Sequence, residues 1–219
     1  MSYRAESIAA GEYYHVMNRG VEKRLTFLDD RDYRRFIDMM GYYRRATPPT
    51  SFSQRTRIQL RKLDMHDWGD PIVEIVAYCL MPNHFHLLIR PLSDGGLATF
   101  MARLSNGYTR AFNTRNARIG PLFQGSYKAV HIQSNWQLLH VCRYIFLNPV
   151  VAKLSNDASS YHWSACGTYT QGKKPPFYLS TDPILGQFAS PTEFQDFVDD
   201  HAAYAQTLAT YKHLLLENE

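Results

Sequence analysis

The sequence predicts an α+β fold, one antiparallel sheet with helices packed on one face, followed by a mainly helical C-terminal tail. Three observations carry this. The stretch Pro71–Pro91 (PIVEIVAYCLMPNHFHLLIRP) holds two apolar runs, Ile72–Leu80 and Phe85–Ile89, on either side of a Met81-Pro82-Asn83 break. β-branched and aromatic residues bounded by prolines read as two buried strands joined by a tight turn. A strand pattern and then a helix pattern precede this hairpin, and a helix pattern and then a strand pattern follow it. The order β-α-β-β-α-β is that of two β-α-β units sharing one sheet, a ferredoxin-like arrangement with the hairpin strands expected at its centre.

Taken in order, Glu12–Asn18 is short, aromatic and rich in strand formers, and Asn18-Arg19-Gly20 closes it. Asp29 or Asp30 caps a helix with Asp32 in its first turn. Tyr33, Phe36, Ile37 and Met40 form its apolar face, and Pro48-Pro49 lies beyond its end. Residues 46–71 are a polar, basic connection, long enough that a short helix is expected near Gln54–Leu63. After the hairpin, Gly95-Gly96 introduces a helix with Leu97, Phe100, Met101 and Leu104 on one face. It continues towards Phe112 and Asn113 through a weak point at Gly107. Leu122–Ile132 reads as the fourth strand, with a bulge at Gly125. Ser134 or Asn135 then caps a helix to about Leu147, which Pro149 ends or kinks. Tyr161–Ser164 is an aromatic loop, and Pro191–Leu216 carries an acidic helical pattern. The division expected from this is a body over residues 1–155 and an extension over 156–219.

Composition supports that division. Residues 1–155 carry 21 Lys and Arg against 12 Asp and Glu, a balance of +9, whereas residues 156–219 carry 3 against 8, a balance of −5. A basic body suits a phosphate backbone, because each neutralised phosphate releases a counterion. The acidic extension either covers part of that basic surface or is an ordinary solvated face. No apolar run reaches the length of a membrane span, and the N-terminus lacks the apolar stretch of a signal peptide, so a cytoplasmic protein is expected. Cys79, Cys142 and Cys166 have no metal-ligand spacing and read as small buried residues.

The chemistry concentrates in two places. Alternation along a strand puts His84 and His86 on one face, with Phe85 on the other. Two imidazoles on one strand face are half of a metal site, or else two structural histidines. Tyr144 and Asn148 stand four apart on the last helix of the body and so share a face. His84, His86 and the Asn148 side-chain oxygen together offer three ligands to a divalent cation, and Tyr144 a nucleophile for a phosphate held by it. Tyr108, with Asn113 five residues on, is the rival and less well aligned pair.

Four pieces in this order resemble the HUH-type single-tyrosine transposases, and among them the REP-associated tyrosine transposases. They are Tyr14-His15-Val16 with Asn18-Arg19-Gly20, Met81–Leu88, Gly120–Lys128 and Tyr144–Val150, within roughly residues 10–155. Ser126 departs from the pattern, where many relatives would have arginine, and the connection 46–71 is longer than expected. The resemblance implies an HUH endonuclease fold with the histidine pair on a central strand. It implies metal-dependent nicking of single-stranded DNA beside short imperfect hairpins such as repetitive extragenic palindromes, with a 5′-phosphotyrosine bond and a free 3′-hydroxyl. Mg²⁺ or Mn²⁺ is the expected cofactor, and no nucleotide is needed. Arg19, Lys23, Arg24, Arg110, Arg115, Arg118, Lys128 and Arg143 are candidates for phosphate contacts and Tyr127 for stacking on a base. A non-catalytic DNA or RNA binder on the same sheet and a nuclease that uses water are the alternatives. Monomer and homodimer both remain open.

Overall fold

The computed structural model describes residues 8–48, 52, 69–172 and 174–200. Its core is β1 (Tyr13–Arg19), α1 (Asp30–Tyr43), β2 (Val73–Met81), β3 (His84–Pro91), α2 (Gly96–Arg115), β4 (Lys128–Ile132) and α3 (Asn135–Val151). Three short helices follow, α4 (Cys166–Thr170), α5 (Asp182–Leu185) and α6 (Pro191–Asp199). The helix expected near Gln54–Leu63 and the end of the acidic pattern, residues 201–216, lie outside the described residues.

The four strands form one antiparallel sheet of order β2-β3-β1-β4. Each β-α-β crossover returns the chain two strands away, so β1 lies between β3 and β4, and β3 between β2 and β1. This is the ferredoxin-like topology, with one correction. Only β3 of the hairpin is central; β2 is an edge strand, and the second central strand is β1. Asp29 caps α1 by accepting from the Arg31 and Asp32 amides, and the Ser134 hydroxyl caps α3 by accepting from Gln137. α2 runs unbroken through Gly107. α3 continues past Pro149 to Val151.

The two faces of the sheet carry different helices. Phe85 packs on Phe36 of α1, and Tyr108 of α2 stacks edge-on against the same Phe36. The opposite face, which carries the even-numbered residues of β3, is covered by α3, whose Tyr144 ring meets His15 and His86. The helices of the two β-α-β units thus share one face, and the third helix has the other to itself.

The segment after α3 is built into this core. It supplies the partners that edge strand β2 lacks: Leu80 donates to the Trp163 carbonyl at 2.9 Å, Ala165 to Tyr78 at 3.0 Å and Ser180 to Ile75 at 2.9 Å. The Tyr161 and Tyr169 hydroxyls donate to the Leu80 and Val76 carbonyls. An open strand edge invites pairing with other chains, and this cover removes it. Phe194 of α6 is fully buried among Phe146 of α3, Tyr169, Phe188 and Phe197. Phe194→Ala is expected to cost about 3–5 kcal/mol, the usual range for emptying a buried aromatic site. Denaturant unfolding checks this, and a loss under about 1 kcal/mol would mean that α6 does not brace α3.

Candidate active site on the α3 face

Strand register decides which side chains meet. Residues directly opposite each other on antiparallel strands share a face, with Cβ atoms about 5 Å apart. His84 pairs with Arg19 and His86 with Met17 across β3 and β1. Met17 in turn pairs with Lys128 across β1 and β4. His15, Met17, Arg19, His84, His86 and Lys128 therefore stand on one face, beneath α3.

The imidazoles are held as a set. His86 is fully buried, and its Nδ1 lies 3.0 Å from His15 Nε2, with the two rings stacked at 5.2 Å. Its Nε2 is buried and has no hydrogen-bond partner among the described residues. His84 Nδ1 lies 2.6 Å from Asn83 Oδ1, which leaves its Nε2 for another partner. Asn83 also binds the loop after β1: its carbonyl accepts from Gly20 at 2.8 Å, and its amide donates to the Lys23 carbonyl at 3.1 Å. Gly20 permits this tight loop, since a Cβ there would sit 2.3 Å from the Arg24 carbonyl oxygen.

Burial, and secondarily the positive charge of Arg19, pulls the His84 pKa down to about 4. His86 is pushed well below the usual histidine range by burial, then by His84, His15 and Arg19. Both rings are thus neutral near pH 7, the form in which a ring nitrogen offers a lone pair to a cation. The linkage has a definite sign. The unfolded chain takes up a proton near pH 6.5, whereas the folded His84 resists it down to about 4. Stability of the metal-free protein is therefore expected to fall as pH drops from about 6.5 to 4, by roughly 3 kcal/mol from His84. Thermal melts of wild type and His84→Gln between pH 7 and 4 check this: the variant should lose less over that interval. Equal losses would contradict the assignment.

Tyr144 is 2% exposed, and its ring sits edge-on to His86 at 5.5 Å and to His15 at 5.8 Å. Asn148, one turn on, is buried and donates its amide to the Tyr144 carbonyl at 3.0 Å, which leaves its side-chain oxygen as an acceptor. Tyr108 is on the other side of the sheet, fully buried and donating to the Thr26 carbonyl at 2.6 Å, with its pKa pushed far up by burial. His15 is the residue to which sequence reasoning gave no role. Alternation along β1 separates it from Tyr14, but only the register shows that it shares the face of His86.

The basic residues divide. Arg19, Lys23 and Arg24 lie in or just after β1, and Tyr127 and Lys128 at the start of β4, at the end of the sheet where His84 stands. Arg24 also pairs with Glu22 at 3.0 Å. Three others are committed elsewhere. Arg143 is fully buried with its guanidinium over the Phe197 ring at 5.0 Å, so it is withdrawn as a phosphate contact. Arg115 pairs with Asp29 and Asp32, and Arg118 donates to Asn113 and to the Gly120 and Pro121 carbonyls. Arg110 lines a cleft of about 440 Å³ between α1 and α2, on the face away from the histidines. Among the described residues no helix is long and apolar enough to cross a membrane.

A sheet of this order, with paired imidazoles on an inner strand and a tyrosine helix laid over them, is the arrangement that the resemblance to HUH-type transposases implies. Residues 50–148 match the family described as Transposase IS200 like. The structure of a REP-associated tyrosine transposase bound to a REP hairpin superimposes with a TM-score of 0.59 at 16% identity, over 84% of this chain and 94% of that one. A protein assigned as a transposase from Deinococcus radiodurans R1 aligns over 63% of this chain and 90% of its own, with 16% identity and a TM-score of 0.35. The curated proteins contain no match. The first likeness carries the fold, and over residues 50–148 the chain is similar to the IS200-like transposases.

Proposed function

We propose that this protein is a divalent-cation-dependent transposase that nicks and rejoins single-stranded DNA beside REP-like hairpins through a 5′-phosphotyrosine on Tyr144. The observation that carries the reading is the seating of the Tyr144 ring edge-on against His86 and His15, on the face that also bears His84. The donor set fits a cation. His86 offers a buried nitrogen without a partner, His84 is oriented by Asn83, and Asn148 retains a carboxamide oxygen. His84, His86 and Asn148 would hold Mg²⁺ or Mn²⁺, which when bound polarises a phosphate oxygen and offsets negative charge at phosphorus.

The remaining roles belong to the chain. For His86 Nε2 to present a lone pair, Nδ1 must carry the ring proton and donate it to His15 Nε2, so His15 fixes tautomer and ring orientation. The Tyr144 oxygen attacks phosphorus, the bond from phosphorus to the 3′-oxygen breaks, and the phenol loses one proton while the leaving 3′-hydroxyl gains one. One phosphodiester replaces another, so attack by a 3′-hydroxyl reverses the step without ATP. Helix α3 keeps the phenol buried against the imidazoles, which excludes water as a competing nucleophile. The catalytic and DNA-binding parts lie within residues 1–155, and residues 156–219 are an extension, of which α6 braces the tyrosine helix from outside. Arg19, Lys23, Arg24 and Lys128 meet phosphates at the His84 end of the sheet, with Tyr127 beside them for stacking.

The test is a denaturing gel after incubation with single-stranded hairpin DNA and Mg²⁺ or Mn²⁺. A 3′-end label should move with the protein, and the upstream fragment should end in a 3′-hydroxyl. Cleavage without a protein-linked strand would instead identify a water-using nuclease. Binding without cleavage across several hairpins would identify a non-catalytic binder.

A further inference from the structure

Arg19 stands directly opposite His84 in the pairing of β1 with β3, so its side chain leaves the sheet on the histidine face, about one side-chain width away. Its Nε is buried and has no hydrogen-bond partner among the described residues. Its backbone is fixed on both sides: the amide donates to Asn18 Oδ1 at 2.9 Å, and the carbonyl accepts from Gln124 at 2.9 Å. The Asn18 amide is anchored in turn to the Gly125 carbonyl at 3.0 Å. Asn83 joins Arg19's neighbour Gly20 to the His84 ring, so the backbone that carries Arg19 is tied to the imidazole beside it.

Among the described residues no salt bridge is made by this cation, and the strands offer it no carboxylate nearby. The one carboxylate that the four strands place on its face, Glu74, pairs with Arg90 at 2.7 Å, near the other end of β2 and β3. Arg90 is four residues beyond His86, about 13 Å along the strand. A partly buried guanidinium whose charge is unmatched, beside neutral imidazoles, is suited to an anion supplied from outside. Its planar fork matches two phosphate oxygens, which an ammonium cannot do.

We propose that Arg19 is a catalytic residue that binds a non-bridging oxygen of the scissile phosphate and stabilises the charge that accumulates as phosphorus becomes five-coordinate. This rests on the transposase reading above. Arg19 transfers no proton. The bond from Tyr144 to phosphorus forms and the bond to the 3′-oxygen breaks while the guanidinium stays charged and hydrogen-bonded to the same oxygen. The role also answers a peculiarity of the site, that its proposed cation ligands are all neutral, so that the substrate phosphate must meet positive charge on both sides.

The test uses the full chain and a hairpin oligonucleotide whose cut position has been mapped with wild type. Single-turnover adduct formation is compared on the normal linkage and on two versions carrying a methylphosphonate at that position, one for each stereoisomer. Arg19→Ala should slow the normal linkage on the order of 10²–10³-fold, the usual effect of removing one donor to transition-state charge. Arg19→Lys should lie between it and wild type. On the stereoisomer whose methyl replaces the oxygen facing Arg19, wild type and Arg19→Ala should react within about tenfold of each other, since the charge that the arginine offsets is gone. Arg19→Ala within threefold of wild type on the normal linkage would overturn the role. So would a full deficit on both stereoisomers, which would mark Arg19 as structural. Wild type that forms no adduct on any linkage would instead sink the transposase reading, and this role with it.

Discussion

Tyr144→Phe is expected to leave hairpin binding intact and to abolish the covalent adduct, a loss on the order of 10⁴-fold or more in rate, as for other enzymes stripped of their nucleophile. The substitution is conservative in every respect except the oxygen. The edge-on contacts with His15 and His86 are made by the ring, which phenylalanine keeps. The backbone carbonyl of residue 144, which accepts from Asn148, is also unchanged. Stability should therefore move by only about 1 kcal/mol. Tyr108→Phe is the matched control with the opposite pattern. It strips the donor from the buried Thr26 carbonyl and should cost about 1–3 kcal/mol of stability. It should still form adduct, because Tyr108 stands on the sheet face away from the histidines. An adduct surviving in Tyr144→Phe and lost in Tyr108→Phe would reverse the assignment of the nucleophile and, with it, the face on which the chemistry occurs.

The parts of the site that are legible in the sequence are those that depend on local geometry. The pairing of His84 with His86 follows from strand alternation alone, and that of Tyr144 with Asn148 from helical spacing. Asp29 and Ser134 cap the helices that their side-chain chemistry predicts. What was not legible depends on register and on contacts between distant segments. The role of His15 exists only because β1 pairs with β3 in one register out of several that would bury the same apolar residues. Arg143 reads from sequence as one more cation on a basic surface. It is buried because Phe197, more than fifty residues on, folds back over it. The cover of β2 by Trp163–Ala165 and Ser180 is made from irregular chain, whose hydrogen bonds leave no periodicity to detect. That cover also explains why β2, the most continuously apolar segment of the chain, tolerates an edge position.

His84→Ala and His86→Ala are each expected to lower cleavage on the order of 10³-fold or more while hairpin affinity changes only a few-fold, because phosphate contacts elsewhere dominate binding. The two variants should nevertheless differ in stability, and the difference is informative. His86 is fully buried, and its removal opens a cavity and strips the partner from His15 Nε2. A loss of about 2–4 kcal/mol is therefore expected for His86→Ala. His84 is 8% exposed and lies at the mouth of the hairpin turn, where its loss frees only the Asn83 oxygen, which water reaches more easily. Its replacement should cost about 1 kcal/mol in the metal-free protein. Direct Mn²⁺ binding, followed by electron paramagnetic resonance without DNA, should weaken in both variants, since each removes one imidazole from the set. The decisive comparison is His84→Ala, which should fold nearly as well as wild type and still be inert. If it binds Mn²⁺ and cleaves like wild type, the histidine pair is structural and the cation must be held elsewhere. If Mn²⁺ binding fails while cleavage persists at the wild-type rate, the chemistry belongs to the phenol and the basic residues around it, and no imidazole-bound cation takes part.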